Sequence, residues 1–384
     1  MSLNRFSLLL VFPIFLAAAC TNKSEQQYSK SSYQKDEVIE VITTVNDKWQ
    51  DKHPDAKEWA FWHNSAYHIG NLAAYKLTDQ QEYLDYTLAW ANHNEWKGAK
   101  SDDKEEWKFS YGETDEYVLF GDWQACFQVY IDLYELDPAE HKIARVKEVM
   151  NYQVNTDEDG YWWWIDGLYM VMPVMPRMYE LTGNEIYLEK LHEYFAFTKQ
   201  QVYDEEAGLW YRDAKYIYPD HSTDSGKKDF WSRGDGWVFA ALARTLDKLP
   251  QDAPHRAEYV EVFTSMAEAL KASQQPEGYW TRSLLDPEQA PGPETSGTSF
   301  FTFGMLWGMN HGLLDTTEYE SVAFKGWNYL TETAIQADGT LGYVQPIGEK
   351  AIPGQIVDEN STSDFGVGAF LLAATEMVNY IEAN

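Results

Sequence analysis

The feature that most constrains this chain is a recurrence of helical hairpins. Apolar residues with a 3.6-residue period mark helices near Trp59–Leu77, Trp123–Leu136, Asp166–Leu181, Trp237–Leu249, Ser299–Leu314 and Phe365–Ile381. A more charged, one-sided stretch follows each of the first five, as in Gln81–Asn94, Glu185–Thr198 and His255–Ala272. The hairpins recur about every 50 to 65 residues, separated by loops rich in Asp, Gly and aromatics such as Asp157-Glu158-Asp159-Gly160-Tyr161. A run of helix pairs builds either an open solenoid or a closed ring. Polar–aromatic clusters favour the ring, because they sit at the N-terminal ends of the first helices: Trp62/His63, Asp122/Trp123, Trp164/Asp166, Trp231/Arg233, Glu294/Ser296 and Ser361/Asp364. On an inner barrel they would converge on one mouth, where helix N-termini also favour anions. The predicted fold is all-α, a single (α/α)6 barrel spanning residues 37–384.

What precedes that domain reads as targeting. Residues 1–19 hold Arg5 and an apolar run from Phe6 to Ala19, too short for a spanning helix and typical of a secretory signal. The run ends Leu16-Ala17-Ala18-Ala19-Cys20, which resembles the bacterial lipoprotein cleavage box. That resemblance implies acylation of Cys20 and anchorage to the outer membrane, on its periplasmic side or at the cell surface. Residues 20–36 are polar and read as a flexible tether. Cys126 is then the one cysteine left, so no internal disulfide is expected. A net charge of −31 excludes nucleic acid as a partner. An anionic glycan would need a local cationic pocket against the global field. The 16 Trp and 26 Tyr suit a carbohydrate-active protein.

Phe230-Trp231-Ser232-Arg233-Gly234-Asp235-Gly236-Trp237-Val238-Phe239 is the densest local signal. Tryptophan offers a flat apolar face for a sugar ring, and arginine a planar fork that matches a carboxylate. The same residues also describe a turn with two core tryptophans. Asp166 follows Tyr161-Trp162-Trp163-Trp164, where desolvation should raise its pKa and preserve a proton-bearing fraction. Its ordinary alternative is an acid at a helix N-terminus. Pro173 and Pro176 predict an irregular segment farther along that helix.

Taken in order, Trp164-Ile165-Asp166-Gly167-Leu168-Tyr169-Met170, Trp231-Ser232-Arg233-Gly234-Asp235-Gly236-Trp237, Glu294-Thr295-Ser296-Gly297 and Phe365-Gly366-Val367-Gly368-Ala369-Phe370 resemble glycoside hydrolase family 105, with family 88 its nearest relative. The resemblance runs from about Trp59 to the C-terminus. It implies removal of a terminal 4,5-unsaturated uronic acid from lyase-generated oligosaccharides of ulvan, rhamnogalacturonan or arabinogalactan type. In that chemistry the C4–C5 double bond is hydrated, and the usual two-carboxylate glycosidase schemes do not apply directly. Asp166 matches the family's catalytic acid/base. Asp122 matches the second functional aspartate, with Asp115 a nearby competitor. Arg233 matches the pocket arginine, Trp231 and Trp237 its walls, and Trp164 and Met170 further pocket positions. Arg212 stands where many members carry a histidine and would add a second cation for the uronate. His63 and His221, the latter in an insertion at Lys215–Lys228, are candidate rim contacts. No metal or cofactor is expected, since no zinc spacing, phosphate loop or dinucleotide fingerprint occurs. Contact with a membrane is expected only through the lipid. The competing readings are a non-catalytic glycan-binding lipoprotein, or another sugar-active enzyme on the same barrel, such as an epimerase or a polysaccharide lyase.

Overall fold

The computed structural model describes residues 30–383. The leader, Cys20 and the first part of the tether lie outside the described residues. Fourteen α-helices are described: α1 (Lys35–Lys52), α2 (Trp62–Thr78), α3 (Gln81–His93), α4 (Gly121–Gln124), α5 (Cys126–Leu136), α6 (Glu140–Val154), α7 (Asp166–Val171), α8 (Val174–Thr182), α9 (Ile186–Val202), α10 (Ser232–Lys248), α11 (Arg256–Ser273), α12 (Thr295–Asn310), α13 (Thr316–Tyr329) and α14 (Asp364–Glu382). Strands β1 (Tyr203–Asp204) and β2 (Leu209–Trp210) pair antiparallel between α9 and α10. None of the described helices is long and apolar enough to cross a membrane.

The inner ring runs α2, α5, α7 with α8, α10, α12 and α14, and α14 packs back on α2 to close it. This is the predicted (α/α)6 barrel. Inner helices are buried nearly all round, as α12 shows from Thr295 to Met309, whereas outer helices bury one stripe. Closure demands a close approach at the seam. A side chain at Gly70 would strike the Gly368 backbone, and one at Gly368 would strike the carbonyl of Ala66. The Gly-Val-Gly run is thus a requirement of helix packing.

Two differences from the sequence expectation have clear causes. The sixth inner helix has no outer partner after it in the chain, and α1 supplies one by packing on α14. Its buried stripe is Val38, Ile42 and Val45, with Ile39, Val41 and Trp49 partly buried beside it. Tyr33 donates to Asn328 Oδ1 at 2.9 Å, and Lys35 pairs with Glu382 at 2.6 Å. Lys35 and Asp36, assigned to the tether, therefore belong to the barrel. The second difference is at helix starts. α12 begins at Thr295 because the Glu294 side chain caps it, accepting from the backbone N–H groups of Ser296 and Gly297. The break expected near Pro173 falls between α7 and α8. Pro173 cannot donate to the carbonyl of Tyr169, and Gln128 Nε2 does so instead at 2.7 Å.

Gly368→Ala should lower stability by about 2–4 kcal/mol, since the clash is with backbone that cannot rotate away. Thermal melting followed by circular dichroism measures this, and an unchanged midpoint would mean that the seam is looser than described.

Candidate active site

The mouth is framed by N-terminal ends of inner helices. Asp166 is the first residue of α7 and Asp122 lies in the single turn of α4. Phe120 and Trp164 stack at 4.8 Å, and Gly121 and Gly167 both pack against the Trp164 ring. The two aspartates are thereby set on one aromatic wedge. Burial raises the pKa of both, Asp122 well above the ordinary carboxylate range. The charge on Asp166 adds to the upward shift of Asp122, after burial. For Asp166, burial is opposed first by Arg212 and then by Arg233. Asp115 is exposed and accepts from the backbone N–H of Lys100 at 3.0 Å, which makes it a loop brace and removes it as a competitor of Asp122.

Arg212 is the cation beside the acid. Its Nε lies 3.3 Å from Asp166 Oδ2, and its Nη1 lies 2.6 Å from Asp213 Oδ2 and 3.3 Å from Glu349 Oε2. Its placement follows from the sequence around it. Asp235, in the first turn of α10, accepts from the backbone N–H of Trp210 at 2.9 Å, two residues before Arg212. The Arg212 carbonyl in turn accepts from the N–H of Ile165, next to Asp166. Gly234 lets Ile165 approach, since a Cβ there would meet Ile165 Cδ1 at 2.9 Å. The Arg-Gly-Asp-Gly stretch thus positions Arg212 against Asp166.

Arg233 is placed differently from the expectation. It is fully buried, its guanidinium lies between the rings of Trp231 and Phe365, and its Nη atoms donate to the carbonyls of Gln345 and Pro346 at 2.7 and 2.9 Å. Burial pushes its pKa down to about 10, against the favourable charges of Glu294 and Asp166. Its fork is committed to backbone and holds the loop that carries Glu349. Trp231 supports the same loop, donating to Gln345 Oε1 at 2.8 Å. Trp237 is enclosed by Trp62, Tyr169, Phe300 and Phe365. Trp164 and Met170 are likewise buried. These four residues form the floor beneath the mouth, because their ring positions face the helix-packing interior. The partly open aromatic faces belong to Trp62 and Trp163, with Arg212 5.9 Å above the Trp163 ring.

Both histidines are partly exposed and carboxylate-paired. His63 Nδ1 lies 2.5 Å from Asp364 Oδ2, and His221 Nε2 lies 3.0 Å from Asp229 Oδ2 with its ring edge-on to Tyr216. Sequence reading missed Glu349 and Asp213 as neighbours of Arg212. Asp213 follows Arg212 directly, whereas Glu349 sits on a loop that only the fold brings near. A separate cavity of about 350 Å³ opens among residues such as Lys76, Asp132, Arg177 and Arg244, far along the inner helices from these carboxylates.

The chain is similar to known proteins over most of its length. The model of Glycosyl Hydrolase Family 88 matches residues 33–381. An unsaturated 3S-rhamnoglycuronyl hydrolase of Formosa agariphila is 33% identical over 347 residues, which cover 87% of this chain and 89% of that protein. A solved family 88 glycosyl hydrolase from Bacteroides vulgatus is 57% identical, with a TM-score of 0.89 over 91% of this chain and all of that one. A solved structure described as a polysaccharide lyase is 61% identical, also with a TM-score of 0.89, over 91% of this chain and 98% of that one. The fold is that of a helical-toroid glycoside hydrolase. The chain belongs to glycosyl hydrolase family 88, one of the two families its motifs resemble.

A carboxyl whose pKa is raised on folding stabilises the fold fully below its unfolded value, and that contribution is lost as pH rises through the folded value. Asp122→Asn should therefore raise the melting midpoint at pH 7 by ~1–3 °C. The gain should vanish near pH 4, around the ordinary Asp value. Melting curves at the two pH values check it, and an equal shift at both would refute the burial argument.

Proposed function

We propose that the enzyme releases a terminal 4,5-unsaturated uronic acid from oligosaccharides by hydrating the C4–C5 double bond. The observation that carries this reading is the juxtaposition of two carboxyls at helix starts on the mouth, Asp122 and Asp166, with one cation, Arg212, 3.3 Å from Asp166. Asp166, its pKa raised, gives its proton to C4. The resulting carboxylate, with Asp122 beside it, takes a proton from the water that adds at C5. The hemiketal so formed opens the ring and expels the aglycone. Arg212 pairs with the substrate carboxylate in this scheme, exchanging Glu349 for it. A planar fork suits that exchange, since it can keep Asp213 on one edge while taking the uronate on another.

Family membership supports the hydrolase class, and the Formosa relative makes a rhamnose-linked aglycone the first candidate. Ulvan, rhamnogalacturonan and arabinogalactan fragments are the panel to assay. The box at Cys20 supports secretion and lipid anchoring of the enzyme in the outer membrane, where such oligosaccharides arrive. Labelling with a radioactive fatty acid, lost in Cys20→Ala, tests the anchor.

A second reading has its own support, the relative described as a polysaccharide lyase at 61% identity. A lyase forms the double bond that the hydrolase consumes. Hydration removes the ultraviolet absorbance of the conjugated bond and elimination creates it, so the sign of the absorbance change separates them.

Asp166→Asn should lower kcat for unsaturated oligosaccharides by at least about 10²-fold while leaving the fold intact. Activity within a few-fold of the native enzyme would remove Asp166 from the proton path. Arg212→Lys should cost about 2–4 kcal/mol in kcat/KM, whereas an unchanged value would place the uronate carboxylate elsewhere. In heavy water the hydration product should carry deuterium at C4. A product without it would point to protonation of the glycosidic oxygen.

A further inference from the structure

His63 and Asp364 form a built pair that hydration does not use. His63 is in the first turn of α2 and Asp364 is the first residue of α14, so the ring seam brings them together. Asp364 Oδ1 accepts from the backbone N–H of Phe365 at 2.7 Å, which fixes the carboxylate. Its Oδ2 faces His63 Nδ1 at 2.5 Å. A carboxylate at Nδ1 selects the tautomer with its proton on that nitrogen and leaves the lone pair on Nε2. Nε2 has no hydrogen-bond partner among the described residues. The side chains of His63 and Asp364 are 20% and 14% exposed, so the pair is sheltered yet reachable. Trp62 stands beside it with ring centroids 5.4 Å apart, and Trp59 at 6.5 Å.

We propose that His63, oriented by Asp364, is a general base that gives this mouth a second activity, β-elimination at a uronate still carrying its 4-O-substituent. The inference rests on the lyase reading above and adds the residue that would perform it. His63 Nε2 removes the proton from C5. The C–H electron pair becomes the C4–C5 double bond, and the C4–O bond breaks with its electrons on the departing oxygen. That oxygen takes a proton from water or from the carboxyl of Asp166, which the protonated imidazole and solvent restore. Arg212 neutralises the C6 carboxylate, and this is what makes the C5 proton acidic enough to lose. An imidazole whose Nδ1 proton is held by a carboxylate presents its Nε2 lone pair to the C5 proton, which leaves Asp166 free to give a proton. Hydration, by contrast, never breaks the C5–H bond, since the unsaturated substrate has none.

The test uses the native enzyme with ulvan, rhamnogalacturonan and arabinogalactan that no lyase has touched. Ultraviolet absorbance should rise on these, and fall on the same glycans cleaved beforehand. In His63→Gln the ratio of elimination rate to hydration rate should drop at least about 10²-fold. Asp364→Asn, which removes the carboxylate orienting the ring, gives a second variant and should shift the ratio in the same direction. Proton NMR in heavy water adds a readout free of any leaving-group requirement: the native enzyme should exchange the C5 proton of methyl 4-O-methyl-glucuronide, and His63→Gln should not. Absence of both rise and exchange with the native enzyme would end the elimination reading and this base with it. A rise that persists at the native ratio in a folded His63→Gln would overturn the base alone.

Discussion

Closure of the ring at α2 and α14 is the constraint on which the mouth depends. Helices meet this closely only where side chains are missing on both sides, and Gly70 and Gly368 satisfy that condition. With the seam shut, six helix N-termini face one opening, and residues from opposite ends of the sequence become neighbours. His63 meets Asp364 across 301 residues of chain for this reason alone. The α1 helix covers the seam from outside, which is why the first described segment is part of the barrel's integrity and not an appendage.

The second constraint is electrostatic. A chain of net charge −31 must create a site for an anion, and it does so with few cations placed by buried scaffolding. Arg233 shows the principle at one remove. Its burial lowers its own pKa, and its donors are committed to the Gln345 and Pro346 carbonyls. The reward is a fixed loop whose Glu349 reaches Arg212. Asp235, buried and bonded to the Trp210 N–H, fixes the backbone two residues before Arg212. Arg212 thus carries three carboxylate neighbours, Asp166, Asp213 and Glu349, and only one of them, Asp213, is in tight contact. Exchanging a loosely held internal carboxylate for that of a ligand costs less than stripping a fully hydrated arginine, a form of preorganisation.

The hairpin repeat, the ring and the two aspartates were legible in the sequence because each leaves a local mark: a 3.6-residue period, a cluster at a helix start, a run of tryptophans before an acid. The chemistry of Arg233 was not legible in that way. An arginine between tryptophans looks the same whether its fork faces a ligand or a carbonyl, and the carbonyls lie more than 110 residues away. The same holds for Trp237 and Met170, whose helical spacing suits floor and wall equally. α1 was not singled out because it precedes the first hairpin of the repeat, although Val38, Ile39, Val41, Ile42, Val45 and Trp49 give it apolar residues enough for a packed helix. Glu349 had no local mark at all, being a loop carboxylate made relevant by the loop's anchor.

Hydration and elimination place the same demands on most of this mouth. Both act at C4 and C5 of a uronate, both need its carboxylate neutralised, and both move a proton at the same end of the ring. They differ in one group, since only elimination needs a base for C5–H. An enzyme with Asp166, Asp122 and Arg212 could therefore be turned from one chemistry towards the other by a correctly oriented imidazole. Arg212 acts in the same sense. A guanidinium beside Asp166 offers no proton at neutral pH and instead strengthens the hold on the carboxylate. Acidity of C5–H rises with that neutralisation. A cation 3.3 Å from Asp166 and a histidine held by Asp364 are thus the two groups that an elimination would require.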